Sequence, residues 1–388
     1  IYMKYETVKK AAERLLVTAR TVQKWAAAGK IPGAMKAGRD WQIPVQKEEG
    51  AKKSTGRKHI PMPLLNSAFP LGQCTRYIEK MEDEDERNIA WAEYYYFSGQ
   101  AEKAAEAVEL YLNSPDDALR YSAAWIYAFS NLTCDKTALT KYAIGIIKKD
   151  LQEQAGEEGL PVQRAIRVFT YTAATVLLHL TMGDVELLEG YLKYLPGGLK
   201  MFGGYVLAHK AYLEKNYERT LAIADMTLAL SDAVYPIPAT YIYNMEAMAM
   251  MNLMRVEEAK KYFMKAWEYA RQDQLIEVFA EHHGLLQGMV EVCLKEKEPE
   301  SFQKITDIVY KFSAGWRKVH KIAEHREIAD NLSTTEFTVA MLYNRKWTIK
   351  EIAHHMQVSE RTVKKHLDVI YDKLNIHSRQ ELEQYMLR

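Results

Sequence analysis

Near each end of the chain, apolar residues recur at helical spacing in two short blocks separated by a tight polar turn. At the start, Val8, Ala11, Ala12 and Leu15 share one helix face, with Thr7 placed to cap it. Leu16 and Val17 make the turn. Thr18 then opens a second helix with Val22 and Trp25 inward, which Gly29 ends. Between Pro32 and Pro44, the run Lys36 to Trp41 predicts a small hairpin with Gly38 in the turn and Arg39 at the tip. Near the end, Ser333 with Glu336, Thr348 with Glu351 and Ser378 with Glu381 fit the S/T-x-x-E capping box. Ser359 heads a further helix whose inward row is Val363, Leu367, Ile370 and Leu374.

The two ends share one pattern, A-x-x-[LM]-x-V-[ST]-x-R-T-V-x-K, running from Ala12 to Lys24 and again from Ala353 to Lys365. Each copy reads as a helix, a turn and a second helix that displays Arg, Thr and a basic residue. That is the layout of a helix-turn-helix, whose second helix enters the DNA major groove. Arg20, Thr21, Gln23 and Lys24 are left on the outer face of the first copy. Arg361, Thr362, Lys364 and Lys365 are left on that of the second.

Residues 61–331 carry helix-like stretches broken by turns at Ser98-Gly99-Gln100, Met182-Gly183-Asp184, Lys215-Asn216-Tyr217 and Met254-Arg255-Val256. The last pattern echoes the one before it at an offset of 39 residues. A period of this size, with helix, turn and helix, implies stacked hairpins. The stretch from Val168 to Gly183 is too short and too polar to span a membrane and reads as a buried helix. Tyr235, Tyr241 and Tyr243 precede methionines spaced three apart, Met245, Met248, Met251 and Met254. Methionine packs adaptably, so this face reads first as core; Tyr235, Tyr241, Tyr243, Met245 and Met248 are also the candidate lining of an effector pocket.

The overall charge of +1 over 388 residues conceals an uneven distribution. Residues 1–60 carry a net +9, residues 332–388 a net +2 and the middle a net −10. Basic ends suit phosphate contact, whereas an acidic centre is repelled by DNA. Lys47, Lys52, Lys53, Arg57 and Lys58 among small polar residues make 47–60 a basic linker. The acidic run Glu82 to Glu86 reads as a solvated helix start. Three cysteines without a CxxC pair, and no signal-peptide pattern, predict a cytoplasmic protein.

The stretch from Val8 to Pro44 resembles the MerR-like, excisionase-type winged helix-turn-helix. The residues that carry it are Lys10-Ala11-Ala12, Arg20 to Trp25, Gly29 to Gly33 and Gly38-Arg39-x-Trp41-x-Ile43-Pro44. The resemblance implies a winged DNA-binding domain over 1–46, with contacts from Thr18, Arg20, Thr21, Gln23, Lys24 and Arg39. Residues 332–388 are similar throughout to the LuxR-type DNA-binding domain. Leu332-Ser333, Glu336, Val339, Leu342, Lys350 to Ala353, Val358-Ser359, Thr362 to Lys364, His366, Lys373-Leu374 and Arg379 all fall in place. That resemblance implies DNA contacts from Lys350, Ser359, Arg361, Thr362, Val363, Lys364, Lys365, His366 and Lys373. Lys346 stands where the family usually has Gly, Ile349 where it has Asn and Thr335 where it has Arg. The middle resembles tetratricopeptide-like repeats. Pairing through the final helix of a LuxR-type domain would use Leu382, Tyr385 and Met386, making a homodimer.

No G-x-x-x-x-G-K-[ST], G-x-S-x-G or nucleophilic cysteine context is present. The adjacent pairs His282-His283 and His354-His355 point to different helix faces and do not chelate as i, i+4 pairs do. An enzyme is not expected, nor a metal or other cofactor. The expected fold is all-α, a helical-repeat middle over 61–331 flanked by two helix-turn-helix modules. The expected function is a transcription regulator that binds double-stranded DNA and senses a small molecule or peptide, with RNA polymerase as a further candidate partner and no membrane. Two other readings stay open: an architectural or recombination accessory factor that bends DNA, and a repeat scaffold for protein partners.

Overall fold

The computed structural model describes residues 4–14, 19–27, 34–38, 40–45, 59–153, 161–179, 188–320 and 332–383. At the N-terminus, β1 (Lys4–Thr7) leads into α1 (Val8–Arg14) and α2 (Ala19–Ala27), then the hairpin β2 (Met35–Ala37) and β3 (Asp40–Val45). β3 is central in the order β1-β3-β2 and antiparallel to both neighbours, with Lys4 opposite Val45 and Ala37 opposite Asp40. The expected hairpin is present, with Gly38 at φ +65° in its turn, where an L side chain would be strained. β1 is an addition to the expected plan. Thr7 does cap α1: its Oγ1 accepts from the Lys10 amide at 3.4 Å. Ala11, Ala12, Val22, Ala26 and Ile43 form this unit's own core. Thr18, Arg39, the turn at 15–17 and linker residues 47–58 lie outside the described residues.

The middle carries helices and no strand among its described residues, after a turn-rich segment at 59–73. Its elements are α3 (Cys74–Glu79), α4 (Glu84–Phe97), α5 (Ala101–Val108), α6 (Asp117–Thr133), α7 (Thr137–Glu153), α8 (Pro161–Leu177), α9 (Leu188–Tyr191), α10 (Gly197–Leu213), α11 (Tyr217–Ala229), α12 (Pro236–Asn252), α13 (Val256–Arg271), α14 (Glu277–Glu281), α15 (His283–Leu286), α16 (Met289–Leu294) and α17 (Pro299–His320). Four successive pairs, α4/α5, α6/α7, α10/α11 and α12/α13, pack as hairpins. Their turns are built alike. Gly99, Asp135, Lys215 and Met254 each take a left-handed φ of 57 to 77°. The next amide in each turn bonds back five residues: Gln100 to Tyr95, Lys136 to Asn131, Asn216 to Ala211 and Arg255 to Met250, at 2.8 to 2.9 Å. This Schellman closure satisfies the last carbonyls of the first helix and aims the chain back along it. The turn at 182–184 lies outside the described residues.

Helix α12 is buried along nearly its whole length, Asn244 and Glu246 included, and packs against α10, α11 and α13. Met245, Met248 and Met251 are fully buried, so the methionine row is core, as its packing chemistry favours. Met254 instead holds the αL turn position and is exposed. The acidic run begins α4, where Asp83 accepts from the amides of Asp85 and Glu86, an N-cap with carboxylates at the positive end of the dipole.

The C-terminal unit comprises α18 (Thr334–Asn344), α19 (Ile349–Met356), α20 (Glu360–Leu374) and α21 (Arg379–Leu382). Its interior is continuous with the middle. No helix among the described residues is long and apolar enough to cross a membrane.

Candidate nucleic-acid interface and central cavity

Two full capping boxes fix the ends of α18 and α19, from Ser333 with Glu336 and Thr348 with Glu351. Ser378 caps α21 by accepting from the Glu381 amide, but Glu381 returns its carboxylate to the amide of His377 rather than closing the box. Gln357, at φ 56°, ends α19, and the Val358 amide closes on the Ala353 carbonyl at 3.0 Å. The chain then reaches Ser359, whose Oγ accepts from the Thr362 amide at 3.1 Å and lies 2.8 Å from the Thr362 hydroxyl. Helix α20 therefore starts at a fixed angle to α19, the geometry a recognition helix needs.

On α20, Val363, Leu367, Ile370 and Leu374 are buried, as its apolar spacing predicts. Lys350, on α19, is exposed; on α20, Arg361, Lys364 and Lys365 are exposed, Thr362 and His366 are half-buried, and Ser359 at its cap is exposed. These side chains form one polar, basic face suited to phosphates and base edges. Val363 does not belong to it. Its exposure is 0%, so the expected DNA contact from Val363 is withdrawn: its methyls hold α20 against α18 and α19. Lys373 lies at the far end of the helix, where its Nζ is 2.7 Å from the Glu336 carboxylate. Burial would raise the Glu336 pKa, but the bonds from Lys373 and Ser333 outweigh it and hold the carboxyl below its ordinary value.

In the N-terminal module, Arg20, Gln23 and Lys24 are exposed on α2, while Val22 is fully buried at the place equivalent to Val363. The backbone of Thr21 lies in α2. Leu382, expected at a pairing surface, is fully buried in its own domain and offers no apolar edge. Tyr385 and Met386 lie outside the described residues.

The face opposite α20 rests on the middle. The Thr334 amide donates to the Tyr310 hydroxyl at 3.0 Å, and Thr338 Oγ1 donates to Glu291 at 3.3 Å. Arg345 bonds the Asn252 side chain, which in turn donates to the Tyr212 hydroxyl at 2.9 Å. Glu291 also meets the buried His283 ring at 2.8 Å. Burial would raise the Glu291 pKa, yet the His283 contact and the Thr338 bond keep it low.

Behind this contact lies a cavity of about 290 Å³. Its wall is rich in aromatic rings and comes from α4, α6, α8, α10, α12, α14, α15 and α17, with Phe337 and Met341 supplied by α18 of the C-terminal unit. Of the five residues expected to line an effector pocket, Tyr241 alone is on this wall. Met245 and Met248 are core, Tyr243 packs on Tyr269 at 5.4 Å, and Tyr235 donates to Asp232 at 3.1 Å.

The polar groups of the wall form two networks. Glu281 accepts from Tyr96 and, at 3.0 Å, from Tyr241. Tyr205 links His209 Nδ1 and His282 Nε2, both at 3.0 Å. Because His282 Nδ1 faces the Val278 carbonyl at 2.8 Å, that nitrogen carries the proton and Nε2 must accept from Tyr205. His209 Nδ1–H then donates to the Tyr205 oxygen. Burial drives both rings towards neutrality, with His282 pushed down to about 4 and His209 to about 3. Burial raises Glu281 to about 7, against the two tyrosine bonds. Tyr96, Tyr205, His209, Glu281 and His282 were not singled out as a group in the sequence, because they come from three separate helices, α4, α10 and α14, and the turn that follows α14.

An exposed basic recognition helix, held by caps within a four-helix unit, defines a DNA-binding domain of a transcription regulator. Residues 330–386 match the family of bacterial regulatory proteins described as the luxR family. The C-terminal domain is thus a LuxR-family domain. No curated protein and no solved structure matches the chain at a significant level.

Proposed function

We propose that this chain is a sequence-specific transcription regulator whose helical middle senses a ligand and conveys its presence to the LuxR-type domain. The observation that carries the reading is the shared wall of the cavity. Phe337 and Met341 belong to the helix that packs against α20, and they also close a chamber of the middle. Any molecule bound there touches both units, so its binding energy depends on how they are docked. The paired hairpins support a tetratricopeptide-like architecture for the middle. The N-terminal unit, with its hairpin and exposed Arg20, Gln23 and Lys24, supports a MerR-like second DNA contact. The same reading includes a homodimer on inverted half-sites, by likeness to LuxR-type domains, with a pairing surface that does not use Leu382.

The test is selection of binding sites from random duplex DNA by the full chain, followed by footprinting. A recurring sequence, protected by the full chain and lost with Arg361→Ala, is expected. Uniform binding to all duplexes would overturn the reading and favour the DNA-bending accessory factor. Sedimentation with the selected duplex reports the dimer. Deleting residues 1–60, which carry a net +9, should flatten the salt dependence of binding because fewer counterions are released.

A further inference from the structure

From the chemistry of the cavity wall, we propose that the ligand is a small organic cation, an amine or quaternary ammonium on an aromatic or aliphatic body, anchored by Glu281. This rests on the reading of the middle as a sensor and names the class of molecule it senses. The wall carries Tyr96, Phe97, Trp125, Phe129, Phe202 and Tyr241, among other rings, and it contains two carboxylates and neither lysine nor arginine. Aromatic faces attract a cation through their quadrupoles, and the attraction grows when water is excluded.

The two carboxylates have different duties. Glu93 is fully buried and uses both oxygens internally, accepting from the amides of Leu64 at 2.8 Å and Leu65 at 3.0 Å. It pins the segment before α3 and is committed to the fold. Glu281 is held by two phenol hydroxyls at the cavity surface, where each oxygen keeps lone-pair capacity for a further donor. The wall also carries four histidines, of which His283 faces Glu291 at 2.8 Å and His179 is exposed. His209 and His282 are locked neutral through Tyr205, and Glu277, one helical turn earlier, faces Thr133 at 3.0 Å. A carboxylate in such surroundings is costly to keep charged alone and gains from a bound cation.

Anionic ligands meet the opposite situation, since they would bring a second negative charge against Glu281 and Glu93. Neutral apolar molecules would gain from the rings but leave the carboxylate without a counter-charge. The cavity, at about 290 Å³, lies at the small end of ligand sites and fits a compact amine rather than a peptide.

The experiment is calorimetric titration of the full chain with a series of arylalkyl and alkyl ammonium ions, primary to quaternary. Each is paired with its neutral alcohol and its carboxylate of equal length. At least one ammonium ion should bind at least tenfold more tightly than its alcohol, with its carboxylate weaker still. Glu281→Gln keeps the shape and one acceptor oxygen for the tyrosine hydroxyls but removes the charge, and should abolish the preference of ammonium over alcohol. Phe337→Leu keeps an apolar wall, loses one ring and should weaken ammonium more than alcohol. Thermal unfolding and DNA binding measured on the same samples establish that each variant is folded. Failure of every ammonium ion to bind, equal affinity for the alcohols, or an unchanged preference in a folded Glu281→Gln would overturn the proposal. Selective DNA binding without ammonium binding sinks this inference alone. Ammonium binding without selective DNA binding sinks the regulator reading instead.

Discussion

His355 of the LuxR-type domain presents its Nε2 to the main-chain carbonyl of Gln287 at 3.0 Å, so a buried imidazole of one unit sits on a backbone corner of the other. The corner is sharp, because Gln287 at φ 51° and Gly288 at φ 88° are both left-handed. It ends α15 and turns the chain into α16 beneath the DNA-binding domain. A Cβ on Gly288 would stand 2.8 Å from Thr338 Cγ2 and 3.0 Å from Met356 Sδ, both in the LuxR-type domain. Gly288→Ala therefore adds backbone strain of about 1–3 kcal/mol and a clash across the interface. Faster hydrogen exchange in α16 and α18, with a lower midpoint of unfolding, is the expected result. Unchanged exchange in both helices would show that the units are not seated through this corner.

The same contact gives docking a pH dependence. Burial lowers the His355 pKa below 6.5, assisted by the charge of Lys260 and opposed by the Gln287 carbonyl, Glu291 and Glu257. The docked state therefore prefers neutral His355. Its contribution is present above pH 6.5 and is lost as pH falls towards the depressed value. Buried Glu281 and Glu93, raised to about 7 and about 8 by burial, act in the opposite sense. They favour the folded state most below their unfolded values, and that contribution fades as pH rises. His355→Gln separates the two effects. In urea unfolding, the stability gap between the native chain and this variant should shrink between pH 7.5 and pH 5.5. A constant gap would remove His355 from the account.

Lys346 occupies φ 71° at the end of α18, where the Trp347 amide closes on the Leu342 carbonyl at 3.2 Å. This is the position at which LuxR-type domains usually carry glycine, and the left-handed backbone supplies the physical reason. Lys346→Gly should stabilise the chain by about 0.5–1 kcal/mol, the relief of strain exceeding the added freedom of the unfolded chain. Thermal unfolding measures it, and a destabilised variant would mean that the lysine makes a compensating contact.

Legibility in the sequence followed locality. The two capping boxes of α18 and α19, the hairpin at Gly38 and the inward row of α20 are written in residues three or four apart, and all are readable; Ser378 caps α21 without the full box. The recurring Schellman turn was only half readable, because Gly99 advertises a left-handed position whereas Asp135, Lys215 and Met254 fill the same role without glycine. Val363 has two readings in the sequence: its spacing puts it on the inward row, as it does Val22, and the family resemblance implies a contact; its burial decides for the spacing. The cavity was not legible. Tyr96, Tyr205, Tyr241 and Glu281 lie on α4, α10, α12 and α14, and no spacing rule joins residues that meet only through the packing of hairpins. The methionine row reads first as core, and Met245 and Met248 are fully buried there; of the tyrosines before it, Tyr241 alone reaches the cavity.

The sharpest division between contact and core falls on two adjacent residues of α20. Lys364 is exposed beside Arg361 and Lys365, whereas Val363 is fully enclosed. Lys364→Ala should leave the unfolding midpoint near that of the native chain and weaken binding to the selected duplex by about 1–3 kcal/mol, the range for loss of a direct contact. Val363→Ala should do the reverse. Removing two buried methyls costs about 1.5 kcal/mol in transfer alone, with a further penalty for the cavity left behind. Affinity per folded molecule should change little at low temperature, where the variant stays native. Gel-shift titration and thermal unfolding on both variants separate the two roles. If Val363→Ala shifted base preference while its stability held, the buried valine would have to reach DNA, and the assignment of faces on α20 would fall.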